Sequence, residues 1–131
     1  MDRRVSSRPQ RVLLVDDSAD IREVWRLWLS FWGFSVDEAQ NGYDAVEKAG
    51  RTRPDLILMD LWMPVLDGVE ATKRLKSNER TANIPIIAMS AQTLYPDPLT
   101  IIDAGADTFI PKPYEPDVLL EHIRTVMSRP H

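Results

Sequence analysis

Five short apolar runs, each followed by a longer amphipathic stretch, constrain this chain more than any other feature. The runs are "RVLLVD" (11–16), "FSVDEA" (34–39), "DLILMD" (55–60), "IPIIAMS" (84–90) and "DTFIP" (107–111). Such alternation is the pattern of βα units around a parallel sheet. The first, third and fourth runs are almost wholly apolar, as central strands covered by helices on both faces must be. "FSVDEA" alternates apolar with polar and suits a strand nearer an edge. The intervening stretches predict helices over Ala19 to Trp32, Gly42 to Gly50, Gly68 to Asn78, Pro98 to Gly105 and Pro116 to Ser128. Gly33, Gly50 and Gly105 fit helix C-terminal positions, and Pro116 fits a first helical turn. "LYPDPLT" places Pro96 and Pro98 where the fourth helix should begin, which predicts a short or late helix. In "PVLDG", Asp67 and Gly68 are expected to form the turn and cap that enter the third helix.

The first strand runs straight into Asp16 and Asp17, and the third ends on Asp60. In an open parallel sheet, ligands bind beyond the carboxyl ends of the strands, where the strand order reverses. With strand order 2-1-3-4-5, these three carboxylates converge in one shallow pocket. A set of hard oxygen ligands without His or Cys suits Mg²⁺, which takes carboxylates, carbonyls and several retained waters. Ser90 ends the fourth run and Lys112 follows the fifth, adding a hydroxyl and a compact positive charge. Acids, hydroxyl and ammonium around one pocket fit a phosphoryl group, with one carboxylate placed to attack phosphorus.

Composition narrows the alternatives. A net charge of -4 gives no support to nucleic acid as a main partner, because phosphate-binding surfaces need clustered Lys and Arg. The chain has no cysteine, so neither a disulfide framework nor a thiolate metal site is available. No apolar run reaches the length of a membrane span and the start lacks a signal-peptide core, so a cytoplasmic location is expected. Its 131 residues suit one domain. Residues 1–9, with Arg3, Arg4 and Arg8, read as a disordered basic leader, 10–128 as the domain, and 129–131 as a tail.

The segments "VDD", "LMDLWMPVLDG", "MSA" and "KP", in this order after the first, third, fourth and fifth strands, resemble the receiver domain of two-component response regulators, including the single-domain chemotaxis type. The resemblance covers nearly the whole chain. It implies a flavodoxin-like α/β fold, a (βα)5 three-layer sandwich with the five-stranded parallel sheet ordered 2-1-3-4-5. It implies a Mg²⁺-dependent signalling switch rather than an ordinary enzyme, able to phosphorylate and dephosphorylate itself. By that resemblance Asp60 is the phosphoacceptor, taking a phosphoryl group from a phosphohistidine of a histidine kinase or phosphotransfer protein. Asp17 is a direct metal ligand, Asp16 holds metal-bound water, and the backbone carbonyl of Trp62 completes the protein's share of the coordination. Ser90 is the switch hydroxyl, Phe109 the switch aromatic and Lys112 the pairing lysine. Trp62 and Gln92, two residues beyond Asp60 and Ser90, occupy the positions that govern phosphate lifetime; the bulk of Trp62 is unusual there. Phe109 lacks a tyrosine hydroxyl, so a switch at that position can work only by packing.

Other readings use the same residue types. An aspartate-nucleophile phosphohydrolase would also combine carboxylates, Mg²⁺, a hydroxyl and a lysine, but with its nucleophile in an Asp-x-Asp pattern on the first strand. An unphosphorylated receiver-like interaction module would not need the full acid and lysine set. No output segment follows the domain in this sequence, so output is expected through contact with an unidentified protein, the domain itself being a monomer or weak homodimer. Along the first helix, Ile21, Val24, Trp25, Leu27, Trp28, Leu29, Phe31 and Trp32 cover an arc of roughly 200° at about 100° per residue. Arg22, Glu23, Arg26 and Ser30 fill the remainder. Most of the apolar arc is expected to be core contact, with Leu27 and Phe31 the candidates for partner docking. His122, in the last helix, reads as a surface or packing residue.

Overall fold

Side chains alternate across a strand, so a strand covered on both faces must be apolar at every position. The computed structural model describes residues 9–61, 63, 66–90, 98–111 and 115–128. In it, β1 (Arg11–Val15), β2 (Ser35–Ala39), β3 (Leu56–Asp60), β4 (Ile86–Ser90) and β5 (Thr108–Pro111) alternate with α1 (Ala19–Phe31), α2 (Gly42–Thr52), α3 (Gly68–Ser77), α4 (Pro98–Ala104) and α5 (Pro116–Met127). The strands form one parallel sheet in the order β2-β1-β3-β4-β5, the 2-1-3-4-5 order expected from the sequence. All of β3 and β4 is buried, whereas the alternating β2 lies at an edge and is mostly half-buried. Leu13, Val15, Ile57, Met59, Ile86 and Ala88 face the layer of α2, α3 and α4. Val12, Leu14, Leu56, Leu58, Ile87 and Met89 face α1 and α5. The result is the three-layer, flavodoxin-like sandwich.

Helix starts follow capping chemistry. The side chains of Ser18, Asn41 and Asp67 accept from the amides of Ile21 (3.2 Å), Asp44 (2.8 Å) and Glu70 (2.9 Å), satisfying donors that the first turns of α1, α2 and α3 leave open. Pro116 opens α5. The fourth helix is short, seven residues beginning at Pro98, and turns Leu99 and Ile102 to solvent. Among the described residues no helix is long and apolar enough to cross a membrane.

Two expectations are corrected. Gly50 does not end α2; the helix continues to Thr52 and Arg53 takes the left-handed cap, at φ 46°. Pro54 accounts for this, because its ring disfavours helical backbone at the residue before it, and so it sets the stop more firmly than a glycine four residues earlier. The apolar arc of α1 is also mostly not core: only Leu29 is buried, with Trp25 and Trp32 packed against its cluster. Leu27 is 57% exposed and Phe31 79%, and Ile21, Val24 and Trp28 are exposed as well. A helix lying on a sheet buries a stripe about 100° wide, so an arc twice that width must leave half of itself in solvent.

At the end of the sheet away from the acids, Lys76 ties three elements together. Its Nζ donates to the carbonyls of Ala82 (3.1 Å) and Ile84 (2.8 Å) and lies 3.6 Å from Asp107, whose carboxylate accepts from the Ile86 amide at 2.8 Å. Gly105, at φ 118°, turns beneath the lysine stem, where an added Cβ would lie 2.5 Å from Lys76 Cγ. Lys76→Met keeps the stem and removes the donors. It is expected to lower stability by about 1–3 kcal/mol in urea unfolding, because two part-buried carbonyls and a carboxylate lose their partner.

Candidate functional site

The register of the sheet brings the acids together. β1 pairs with β3 from Val12↔Leu56 through Val15↔Met59, so one step further sets Asp16 level with Asp60. One carboxylate oxygen from each of Asp16, Asp17 and Asp60 lies within 4.8 Å of the others. Asp16 and Asp60 are 1% and 5% exposed, while Asp17 is exposed. Two like charges at this spacing repel by about 3 kcal/mol at an effective dielectric near 20, so the cluster favours a cation among its oxygens. The spacing fits a small ion. Carboxylate oxygens are the hard ligands Mg²⁺ takes, and a water retained by the ion would bridge to an acid that stands back from it.

The next strand completes the described part of the pocket. Asp60 pairs with Met89, and the Leu61 amide donates to the Met89 carbonyl at 2.9 Å, so Ser90 follows directly beside the phosphoacceptor candidate. Ser90 is fully buried. Phe109, on β5, is half-buried and packs against the apolar cluster beneath α2, α3 and α4. Lys112, Trp62 and Gln92, the other residues assigned from the sequence, lie outside the described residues.

The backbone that carries the acids is held from several directions. The Asp16 amide donates to the Ala39 carbonyl (3.1 Å), tying the end of β1 to the end of β2. One Asp16 carboxylate oxygen accepts from the Ser18 amide at 2.9 Å. The Asp16 carbonyl accepts from Arg22 Nη1 at 2.7 Å, and the Nε of the same guanidinium donates to Glu38 at 2.9 Å. Around Asp60, the Gly68 amide donates to the Leu61 carbonyl (3.3 Å) and the Gly42 amide to the Leu66 carbonyl (3.1 Å), so the first residues of α2 and α3 both fasten the segment after β3. Asp67 and Gly68 thus form the expected cap and turn, and Gly68 is also a point of close approach. A Cβ there would lie 2.5 Å from the Asp60 carbonyl oxygen and 2.7 Å from Leu61 Cα.

Arg22 and Glu38 escaped the reading of the sequence. Arg22 counts among the polar remainder of α1, yet seven residues at about 100° each place it within roughly 20° of Leu29, on the buried side of the helix. Its side chain is 16% exposed. A charged residue on the meridian of the one buried leucine was the available signal.

A doubly wound sheet that gathers three carboxylates at the tips of β1 and β3 defines a class of domain, one that presents an acidic crevice at its topological switch point. Residues 12–124 match the response regulator receiver domain, and the chain belongs to that family. It is 38% identical over 121 residues to the response regulator MprA of Mycobacterium sp. (strain KMS), covering 92% of this chain and 52% of that protein. It is 40% identical over 119 residues to MprA of Mycobacterium leprae (strain TN), covering 91% and 51%. The chain thus spans about half the length of the curated relatives it matches. Among solved structures it resembles the receiver domain of sensor histidine kinase PA1611 from Pseudomonas aeruginosa PAO1 (TM-score 0.86, 33% identity, 92% of this chain and 99% of that one), a structure with a magnesium ion coordinated in its active site cleft. It also resembles the chemotaxis protein CheY4 of Vibrio cholerae (TM-score 0.84, 31% identity, 90% and 98%). The chain is a receiver domain of two-component signalling.

Proposed function

We propose that this domain is a Mg²⁺-dependent switch that accepts a phosphoryl group on Asp60 from a phosphohistidine. The observation that carries the proposal is the convergence of Asp16, Asp17 and Asp60 within 4.8 Å. Asp17 and Asp60 would hold Mg²⁺ directly, with Asp16 acting through retained water and the Trp62 carbonyl completing the set. When bound, Mg²⁺ supplies neutralising charge to the phosphoryl oxygens. Asp60 attacks phosphorus in line: an Asp60 oxygen–phosphorus bond forms, the nitrogen–phosphorus bond of the donor breaks, and its electron pair stays on the imidazole. Lys112 pairs with a phosphoryl oxygen, and Ser90 donates to another as it turns toward the new group. Phe109 then repacks, and the two-state surface around α4 and β5 shifts toward the form that binds a downstream protein. Trp62 and Gln92 limit the approach of water and so set how long the acyl phosphate lasts. The test is incubation with acetyl phosphate and Mg²⁺ followed by intact mass measurement, where one added phosphoryl group is expected.

The exposed apolar face of α1 is the proposed seat of the donor. Ser18, which caps α1, follows Asp17 directly, so the helix leads away from the acids and its face begins beside them. Trp28 stands edge-on to Phe31 at 6.2 Å and stacks obliquely on Trp32 at 5.7 Å, giving an ordered aromatic ridge flanked by Val24 and Leu27. Replacing Leu27 and Phe31 together by serine is expected to slow transfer from a phosphohistidine protein about tenfold or more, the usual scale for losing interface anchors. Both side chains already face water, so the fold should be unaffected. Uptake from acetyl phosphate, which needs no docking face, should keep its rate; equal slowing with both donors would remove α1 from the docking role.

A further inference from the structure

The end of β1 is held by an arginine that reaches over from α1. Arg22 donates from Nη1 to the Asp16 carbonyl at 2.7 Å and from Nε to Glu38 Oε1 at 2.9 Å. Glu38 is in turn fixed by Arg26, whose Nε lies 3.3 Å from Oε2, and by Lys48, whose Nζ donates to the Glu38 carbonyl at 2.5 Å. One planar guanidinium therefore spans three elements, leaving α1 to hold the peptide between Asp16 and Asp17 against the end of β2. That peptide sets the direction in which the Asp17 side chain leaves the backbone.

We infer that Arg22, braced by Glu38, is a positioning residue that fixes the Asp16–Asp17 peptide so that both carboxylates face the same cation as Asp60. The inference rests on the reading that these acids hold a divalent ion. Guanidinium is suited to the task because its fork of donors is rigid and can serve a carbonyl and a carboxylate at once, which an ammonium cannot do with fixed geometry. Groups that orient metal ligands without touching the metal typically change affinity 10–100-fold when removed.

The sign of the effect separates positioning from plain electrostatics. Removing a positive charge near a cation site should tighten cation binding if charge alone matters. Loss of a brace should weaken it instead. Arg26→Ala removes the same charge from the same carboxylate but leaves the Arg22 bond to Asp16 in place.

Calorimetric titration of the whole chain with Mg²⁺ tests this, with thermal unfolding measured in parallel. Arg22→Ala is expected to weaken Mg²⁺ binding about tenfold or more, Arg22→Lys to recover only part of that loss, and Arg26→Ala to stay within about twofold of the parent. If Arg22→Ala binds Mg²⁺ as tightly as the parent or more tightly, the inference fails while the cation site stands. Should Arg22→Ala not fold, Arg22→Lys decides, and parental affinity in that variant overturns the inference. If the parent itself binds no Mg²⁺, the proposed function falls first and the inference with it.

Discussion

Asp60→Asn should take up no phosphoryl group from acetyl phosphate under conditions that fully label the parent. Asp60 is the last residue of β3, a central strand, and is 5% exposed, so its carboxylate is a fixed feature of the crevice rather than a mobile surface acid. The amide has nearly the same shape but no anionic oxygen with which to attack phosphorus, so the loss should be complete within detection. Its stability should behave in the opposite way. Three acids within 4.8 Å repel one another in metal-free buffer, and neutralising one of them should raise the unfolding temperature by a few degrees. Intact mass and thermal unfolding read the two effects separately. Continued labelling of the variant would assign the nucleophile elsewhere; Asp16 or Asp17 as the labelled residue would bring back the phosphohydrolase-like reading.

The second large effect is expected from a single methyl group. Gly68→Ala would place a Cβ 2.5 Å from the Asp60 carbonyl oxygen and 2.7 Å from Leu61 Cα, both of them backbone atoms that cannot step aside as a flexible side chain could. Overpacking of this kind costs about 1–3 kcal/mol, and here it also pushes on the peptide that carries the proposed phosphoacceptor. The unfolding temperature should fall by about 4–10 °C, and Mg²⁺ affinity should fall with it. Gly50→Ala is the matched control. Gly50 lies inside α2 with nothing within 4 Å of an added Cβ, so the same methyl should stabilise by about 0.5–1 kcal/mol through the helix preference of alanine. If the two substitutions moved stability in the same direction, the close approach at Gly68 would not be the cause.

How much of this was legible in the sequence depends on how local the signal is. The central strands could be read because burial on both faces demands continuous apolar runs and the second because it alternates as an edge strand does, and all five fell where "RVLLVD", "FSVDEA", "DLILMD", "IPIIAMS" and "DTFIP" placed them. The meeting of Asp16, Asp17 and Asp60 followed from strand order, because the first two directly follow β1, the third ends β3, and parallel neighbours in register carry their ends to the same side. Arg53 was misread through Gly50 because two stop signals competed and the proline acted more directly on the backbone. The face of α1 was misread because an apolar arc gives its own width but not the width of the surface that receives it. Arg22 and Glu38 were missed for a related reason: a charge on a helix carries no mark of whether an acid sixteen residues away and a carbonyl six residues back wait nearby to accept from it.

The sheet also acts as a partition. The aromatic ridge of α1 lies over one face, and Leu99 and Ile102 of α4 lie on the side of the other. Proteins docked on α1 and on α4 would therefore approach from opposite faces of the sheet, each meeting its own apolar surface.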